Sequence, residues 1–89
     1  MRAIVTVIGK DKVGIIAKVC VYLAERNANV LEITQNIVKG FFNMMMIIDI
    51  SEIKCTPGEL AGGLEELGAQ IGVVAKFQRE EIFESMHRI

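Results

Sequence analysis

The spacing of hydrophobic residues changes several times along the chain, and each change predicts a different element. Residues 3–8 are apolar and largely β-branched on both alternating faces, which is typical of a central strand covered on each side. The pattern breaks over residues 9–14. Apolar positions then recur at three- and four-residue spacing, which predicts a first helix ending near Asn27. These helical positions are Ile15, Ile16, Val19, Cys20 and Leu23.

Residues 30–50 have the pattern of a β-hairpin. Apolar and polar residues alternate over residues 30–39, as in a half-exposed edge strand, with Leu31, Ile33 and Ile37 on one face and polar residues on the other. Lys39 and Gly40 predict a tight turn into a third strand over residues 41–50. One face of that strand is wholly apolar: Phe42, Met44, Met46, Ile48 and Ile50. We therefore expect the third strand to be more deeply buried than the second.

A second helix is predicted after residue 55. Thr56 is a favourable N-cap, Pro57 suits the first helical position, and Glu59 is placed to complete a capping box. The apolar face of this helix is Leu60, Leu64 and Leu67. Gly68 is predicted to be its left-handed C-cap.

The remaining residues predict one more strand and a short helix. Residues 71–77 alternate as a fourth strand, with Ile71, Val73, Ala75 and Phe77 on one face. Residues 79–89 place Ile82, Phe83, Met86 and Ile89 at helical spacing, which predicts a short amphipathic C-terminal helix.

The order of these elements predicts the fold class. A single α+β domain over residues 1–89, in the order βαββαβ, is the split βαβ arrangement of ferredoxin-like domains. Such a domain has a four-stranded antiparallel sheet in the order 4-1-3-2, with both helices on one face. The first and third strands also carry apolar residues toward the other face, so we expect that face or a sheet edge to meet a second copy of the chain.

Composition and charge narrow the possible partners. The chain is 52% hydrophobic, more aliphatic than one small sheet-and-helix core readily hides, which favours a homo-oligomer. A net charge of −1 gives no general attraction to nucleic acid or to an anionic membrane. The first residues lead straight into a strand without a signal peptide or a membrane span, so we expect a cytoplasmic protein.

Few residues are suited to catalysis or to a cofactor. His87 is the only histidine and stands near the C-terminus. Cys20 and Cys55 have the spacing of neither a metal site nor a disulfide scaffold and are expected to be reduced thiols. The run of methionines at 44–46 alternates between two faces of a strand and cannot converge on one copper ion. We therefore predict no catalytic residues, no metal and no cofactor.

The segment from Gly9 to Gly14 has the two glycines of a phosphate loop at the right distance. The Lys and the Ser or Thr that such a loop needs next are replaced by Ile15 and Ile16, so nucleotide hydrolysis is not implied. The free amides and positive dipole at the start of the first helix would favour a small carboxylate. An ordinary strand-to-helix turn is the equally good alternative.

Together with Asn29 and Val30 at the start of the second strand, this loop, Gly-Lys-Asp-Lys-Val-Gly-Ile, resembles the signature of ACT domains. The resemblance covers nearly the whole chain, and the ending Ile-Phe-Glu-Ser-Met is similar to that of small stand-alone ACT proteins of bacteria and archaea. It implies a regulatory domain that pairs with a second copy, most simply as a homodimer, and binds an amino acid or similar effector at the interface.

The residues implied to bind this effector are Asp11, Lys12, Val13, Gly14 and Ile15 in the loop, and Asn29 entering the second strand. Gly14 would allow close approach of a ligand or a neighbouring backbone. Asn29 would hydrogen-bond the effector's ammonium or carboxylate group across the dimer. Many family members have proline where this chain has Val13, so the loop is expected to be less rigid.

Other functions of the same topology fit less well. An RNA-binding domain would need an aromatic residue on the first strand, which has none. An acylphosphatase-like enzyme would need an arginine in the loop after the first strand, and a metal carrier a Cys-x-x-Cys pair there. The main alternative is a protein-interaction module that docks on a partner enzyme of unknown identity without a small ligand. Such a module would tolerate Gly14→Ala and Asn29→Ala, whereas an effector site would not.

Overall fold

The computed structural model describes residues 1–10 and 13–80. Over this part of the chain the elements follow in the order β1 (Arg2–Lys10), α1 (Ile15–Glu25), β2 (Asn29–Val38), β3 (Phe41–Asp49), α2 (Pro57–Ile71) and β4 (Val73–Arg79). The strands form one antiparallel sheet in the order β2-β3-β1-β4. The predicted ferredoxin-like α+β topology is therefore confirmed. Most of the predicted C-terminal helix, residues 81–89, lies outside the described residues.

The hydrophobic core lies between the two helices and one face of the sheet, which we call the helix face. Alternate residues of β1 and β3 face the helices, as the period of two predicted. The sheet contributes Ala3, Val5, Val7, Phe42, Met44, Met46 and Ile48, and the helices contribute Ile15, Val19, Leu23, Leu60 and Leu64. All of these side chains are buried, so a single core holds the described part of the chain together.

The other side of the sheet, which we call the open face, carries no helix among the described residues. Its exposure increases along β1: Ile4 is only 6% exposed, Thr6 is half-buried, and Ile8 is 50% exposed. The prediction that β1 is covered on both sides is thus correct near Ile4 and wrong at Ile8. Beside Ile8, the exposed apolar residues of the open face include Val38, Phe41, Met45 and Val74.

Strands β2 and β3 form the predicted hairpin. Lys39 and Gly40 have φ angles of 52° and 79°, the pair of positive values that a tight hairpin turn requires. β3 is buried on its helix face whereas β2 is almost entirely exposed, which confirms the predicted difference in burial. The sequence pattern did not show the irregularity in the pairing between Val30 and Glu32, a bulge that inserts Leu31.

Helix α2 begins as predicted and ends later than predicted. The hydroxyl of Thr56 accepts a hydrogen bond from the Glu59 amide at 3.1 Å, and the Glu59 carboxylate accepts one from the Thr56 amide at 3.1 Å. The left-handed C-cap is Gly72, with φ of 81°, and not Gly68. Ile71 therefore belongs to the helix, and the fourth strand begins at Val73.

Gly68 has a packing role inside α2 instead. A Cβ atom at this position would lie 2.8 Å from the carbonyl oxygen of Val73 and 3.2 Å from the amide nitrogen of Ala75. Glycine thus lets the last turn of α2 approach the backbone of β4 closely. Position 68 thus requires glycine, as predicted. The cause is close contact with β4 and not a left-handed turn.

Candidate functional site

The loop between β1 and α1 presents an uncapped helix N-terminus. Gly14 is the N-cap residue, with φ of 88° and ψ of 3°, and among the described residues no side chain caps the helix. No acidic side chain lies in the first turn of α1, so within residues 1–10 and 13–80 its first amides and the positive end of its dipole have no anionic partner from that turn. This end of the helix is chemically suited to a small carboxylate. Asp11 and Lys12, predicted to act here, lie outside the described residues.

The structure gives a clear reason for glycine at position 14. A Cβ atom would meet nothing within 4 Å, so no close neighbour in the same chain requires its absence. The positive φ angle is the requirement, because side chains other than glycine are strained in that conformation. The sequence predicts that a ligand or a second chain approaches Gly14 closely, and the open space beside Gly14 is where it would lie.

A cavity of about 220 Å³ lies beside this helix end. It is lined by Val13, Ile15 and Lys18 from the loop and α1, and by Gln70 and Ile71 from the end of α2. Val13 is fully exposed, whereas the Ile15 side chain is 3% exposed and belongs to the core. Ile15 would therefore contact a ligand mainly through its backbone, while Lys18 adds a positive charge one turn into the helix.

Asn29 begins β2 and lines a different cavity. This second cavity, of about 420 Å³, is bounded by Asn27, Asn29, Asp49, Ser51 and Glu52. Asn29 and Asp49 are direct partners in the β2–β3 pairing. Asn27 supports the wall of the cavity, since its side-chain amide donates a hydrogen bond to the Glu52 carbonyl oxygen at 2.9 Å.

The carboxylate of Asp49 is held in place by the turn that follows β3. It accepts hydrogen bonds from the Ser51 hydroxyl at 2.7 Å and from the Ser51 amide at 2.9 Å. These two bonds lower the pKa of Asp49 below its ordinary value, the hydroxyl contributing most. Asp49 is therefore a fixed negative charge beside Asn29 at neutral pH, a suitable neighbour for an ammonium group.

The predicted site residues that the structure describes lie at opposite ends of the sheet. Val13, Gly14 and Ile15 follow the last residue of β1, Lys10, which pairs with Phe41. Asn29 pairs with Asp49, which pairs in turn with Arg2 at the start of β1. The nine residues of β1 span roughly 26 Å at about 3.3 Å per residue. A single chain therefore does not bring the loop and Asn29 together.

Several residues at these two ends were missed by the sequence analysis. Lys18 and Gln70 line the cavity at the loop, and Asp49 and Ser51 line the cavity at Asn29. Lys18 had a usable signal, because it follows Gly14 by one helical turn. Gln70 had none, since its position depends on how the end of α2 packs against α1.

Tyr22 and the two cysteines lie outside these two cavities. The Tyr22 hydroxyl donates a hydrogen bond to the Leu60 carbonyl oxygen at 2.9 Å, and burial raises the pKa of Tyr22 above its ordinary value. Cys20 and Cys55 are free and half-buried. No group of three or more potential metal ligands occurs within residues 1–10 and 13–80. Neither described helix combines the length and apolar character of a bilayer span.

The chain is similar to known proteins over nearly its whole length. A family model described as ACT domain matches residues 2–78. A UPF0237 protein of Bifidobacterium longum is 56% identical over 88 residues, which cover 99% of this chain and 98% of that protein. A UPF0237 protein of the archaeon Methanococcus maripaludis is 46% identical over 88 residues, with the same coverage.

Solved structures give the same result. An ACT domain protein from Streptococcus pneumoniae has a TM-score of 0.83 and 37% identity, and the match covers 94% of each chain. The ligand-free regulatory subunit of aspartate kinase from Thermus thermophilus has a TM-score of 0.65 and 32% identity, over 86% of this chain and 50% of that one.

Proposed function

Because this chain belongs to the ACT-domain family, a regulatory ligand-binding fold, we propose that it is a non-catalytic effector-binding protein. Its effector is a small amino acid or a close analogue, bound between two copies of the chain in the cytoplasm. The observation that carries the proposal is the uncapped N-terminus of α1 beside Gly14, a carboxylate-binding arrangement at the family's signature loop.

The two ends of the sheet, at the β1–α1 loop and at Asn29, have complementary chemistry for an amino acid. The first amides of α1, with Lys18 nearby, suit an α-carboxylate. Asn29 and the fixed carboxylate of Asp49 suit an α-ammonium group. These two groups are separated by a single carbon in an amino acid, whereas the two ends lie roughly 26 Å apart along β1. One ligand therefore contacts both ends only when they belong to different chains.

Similar proteins support a regulatory role. The regulatory subunit of aspartate kinase from Thermus thermophilus shares the fold, and the chain spans half of it. By analogy, the output of the present protein is control of a partner enzyme.

Ligand-dependent thermal unfolding tests this proposal. A ligand present at about 100 times its Kd adds roughly 2.7 kcal/mol to stability, which raises Tm by roughly 4 to 8 °C for a domain of this size. We expect one free amino acid, or a few related ones, to raise Tm at millimolar concentration. The N-acetylated and the decarboxylated forms of that amino acid should have no effect, because each lacks one of the two recognised groups.

The matched variants are Asn29→Ala and Asn36→Ala. Both residues are exposed asparagines of β2, but only Asn29 lies in the cavity with Asp49. The Asn29→Ala variant should lose the ligand-dependent shift, and Asn36→Ala should keep it. If no free amino acid raises Tm, or if both variants respond like the unmodified protein, the proposal of an effector site at Asn29 is wrong.

A docking module without a small ligand is the second candidate function. The observation that favours it is the exposed apolar set on the open face, where Ile8 is 50%, Phe41 53% and Val74 58% exposed. Such a surface is typical of protein contact sites. Under this alternative, Gly14→Asn and Asn29→Ala would leave partner binding unchanged, and a polar substitution such as Phe41→Ser would abolish it.

A further inference from the structure

The open face of the sheet is shielded at one end and exposed at the other. Ile4 is 6% exposed and Ile8 is 50% exposed, although both are isoleucines on the open face of β1. Each of them has one paired residue on β3 and one on β4. The sheet thus flanks the two side chains in the same way, so the difference in exposure requires a further cover over Ile4.

The strands on either side of β1 show the same gradient. Next to Ile4, the paired residues Ile47 on β3 and Gln78 on β4 are half-buried. Toward the other end of these strands, Phe41 and Val74 are 53% and 58% exposed on the same face. The cover therefore spans three strands at the Ile4 end of the open face.

The cover over Ile4 is part of the same chain, because these exposures are those of a single chain. Both helices of the described residues pack on the helix face. The chain outside the described residues consists of residues 11–12 and 81–89. Residues 11–12 follow Lys10, which lies roughly 20 Å from Ile4 along β1 at about 3.3 Å per residue. Residues 81–89 are thus the segment that can supply the cover.

The position of Glu80 places the start of this segment beside Ile4. The Arg2 Nε atom lies 2.7 Å from one carboxylate oxygen of Glu80, and Arg2 Nη2 donates a hydrogen bond to the other oxygen at 2.8 Å. Arg2 precedes Ile4 by two residues on the same strand, so the two side chains share the open face. A charged pair with two parallel contacts fixes the direction of both side chains. Residue 81 therefore follows at the shielded end of the open face.

Residues 81–89 have a suitable composition and length. Their apolar residues recur at helical spacing: Ile82, Phe83, Met86 and Ile89. A helix of nine residues is about 13.5 Å long. It matches the roughly 13 Å from Arg2 to Thr6 along β1. A fully extended segment would be roughly 30 Å long and would reach past Ile8, which is exposed. The gradient of exposure therefore favours a helix.

We propose that residues 81–89 fold back as a helix and pack their apolar side on the open face, over Ile4 and Ile47. We call the segment in this position the 81–89 cover. It forms a second, smaller core on the side of the sheet opposite α1 and α2. Ile8, Phe41 and Val74 stay uncovered, so the 81–89 cover limits a docking partner to the loop end of the open face. Neither Ile4 nor Ile47 lines a cavity of the proposed effector site, so the 81–89 cover is separate from that function.

Tryptophan fluorescence of the full chain tests the 81–89 cover. The chain has no tryptophan, so each tryptophan variant carries a single reporter. Phe83→Trp places the reporter on the apolar side of the segment, and Ser85→Trp places it on the polar side. We expect Phe83→Trp to emit at a shorter wavelength than Ser85→Trp, and acrylamide to quench its emission several-fold less. Both differences should disappear in concentrated urea, because unfolding exposes both positions to water.

Matched substitutions on the sheet identify the contact. Ile4→Thr and Ile8→Thr make the same change on the same face of β1, and threonine keeps the β-branched shape that suits a strand. In the Phe83→Trp chain, Ile4→Thr should shift the emission to longer wavelength and raise the quenching constant toward that of Ser85→Trp. Ile8→Thr should leave both unchanged. Far-UV circular dichroism verifies the fold, and if Ile4→Thr is misfolded, Ile47→Thr at the half-buried neighbour takes its place.

Dilution distinguishes a contact within one chain from a contact between copies. The emission of Phe83→Trp should not depend on protein concentration. A shift to longer wavelength on dilution would show that the segment packs on another copy and would overturn the 81–89 cover. Equal quenching of the apolar-side and polar-side reporters, repeated with Met86→Trp, would also overturn it. So would equal responses to Ile4→Thr and Ile8→Thr.

Discussion

The hydroxyl of Tyr22 occupies the space that a side chain at Gly63 would need. Tyr22 lies in α1 and Gly63 in α2, so this contact sets how closely the two helices approach. The hydroxyl is fixed by its hydrogen bond to the Leu60 carbonyl oxygen at 2.9 Å. The Arg26 guanidinium carbon lies 3.6 Å from the centre of the Tyr22 ring and holds its other side.

Gly63→Ala should destabilise the protein, and Gly62→Ala should not. A methyl group at position 63 would overlap the Tyr22 hydroxyl, and relieving that overlap in a packed core costs about 1 to 3 kcal/mol. A methyl group at position 62 would meet nothing within 4 Å, so the better helix propensity of alanine should stabilise the protein by about 0.5 to 1 kcal/mol. Urea unfolding of both variants measures the difference. Equal effects of the two substitutions would show that the helices adjust without cost.

The neighbouring residues Met45 and Met46 test the burial pattern of β3. Met46 is fully buried on the helix face, whereas Met45 is 39% exposed on the open face. Met46→Ala should therefore lower the free energy of unfolding by about 2 to 5 kcal/mol, the usual cost of a cavity in the core. Met45→Ala should cost less than about 1 kcal/mol in the single chain. A large loss from Met45→Ala in dilute solution, where chains are monomeric, would contradict the exposed position of Met45.

The fold was predictable because its signals are local. The period of two in β3, the helical spacing in α1 and the capping box at Thr56 each identify an element within a few residues. The bulge at Leu31 has no such signal. Counting back from the turn, where Val38 pairs with Phe41, would place Asn29 opposite Ile50, but the inserted residue moves its partner to Asp49. The polar neighbour of Asn29 thus depended on a feature that periodicity does not reveal.

The candidate site was predictable only in part, because its geometry depends on the pairing of strands and not on local sequence patterns. Gly14 and Asn29 belong to short motifs that the sequence shows directly. Their separation by the length of β1 follows from the pairing of Asn29 with Asp49 and of Asp49 with Arg2, which only the assembled sheet shows. The predicted C-cap at Gly68 would end α2 at Leu67, but the helix continues four residues further, to Ile71. Gln70 enters the cavity at the loop because of this extension.

Gly14→Ala and Gly14→Asn distinguish the backbone requirement at this position from a ligand requirement. Gly14 has φ of 88°, a conformation that costs most side chains about 1 to 2 kcal/mol and that asparagine tolerates better. Gly14→Ala should therefore lower the free energy of unfolding by about 1 kcal/mol or more, and Gly14→Asn by less. Chemical unfolding without ligand measures both values. Equal stability of Gly14→Ala and the unmodified protein would show that the loop relaxes to another conformation.

The capping box of α2 should make stability depend on pH through Glu59. Hydrogen bonds from Thr56, chiefly from its backbone amide, lower the pKa of Glu59 below its ordinary value of 4.5. Since the folded-state pKa is the lower one, the unfolded chain takes up this proton first as the solution is acidified. The stabilising contribution is therefore complete above the ordinary value and is lost as the pH falls through the folded-state pKa.

Glu59→Gln removes this titration while leaving an oxygen that still accepts the bond from Thr56. The variant should be less stable than the unmodified protein near neutral pH, and the difference should shrink toward zero as the pH falls below the folded-state pKa of Glu59. Urea unfolding across this range measures the difference. Glu65→Gln, the same substitution at an exposed position later in α2, is the control for the general loss of a negative charge. If both variants show the same dependence on pH, the effect comes from net charge and not from the bonds between Glu59 and Thr56.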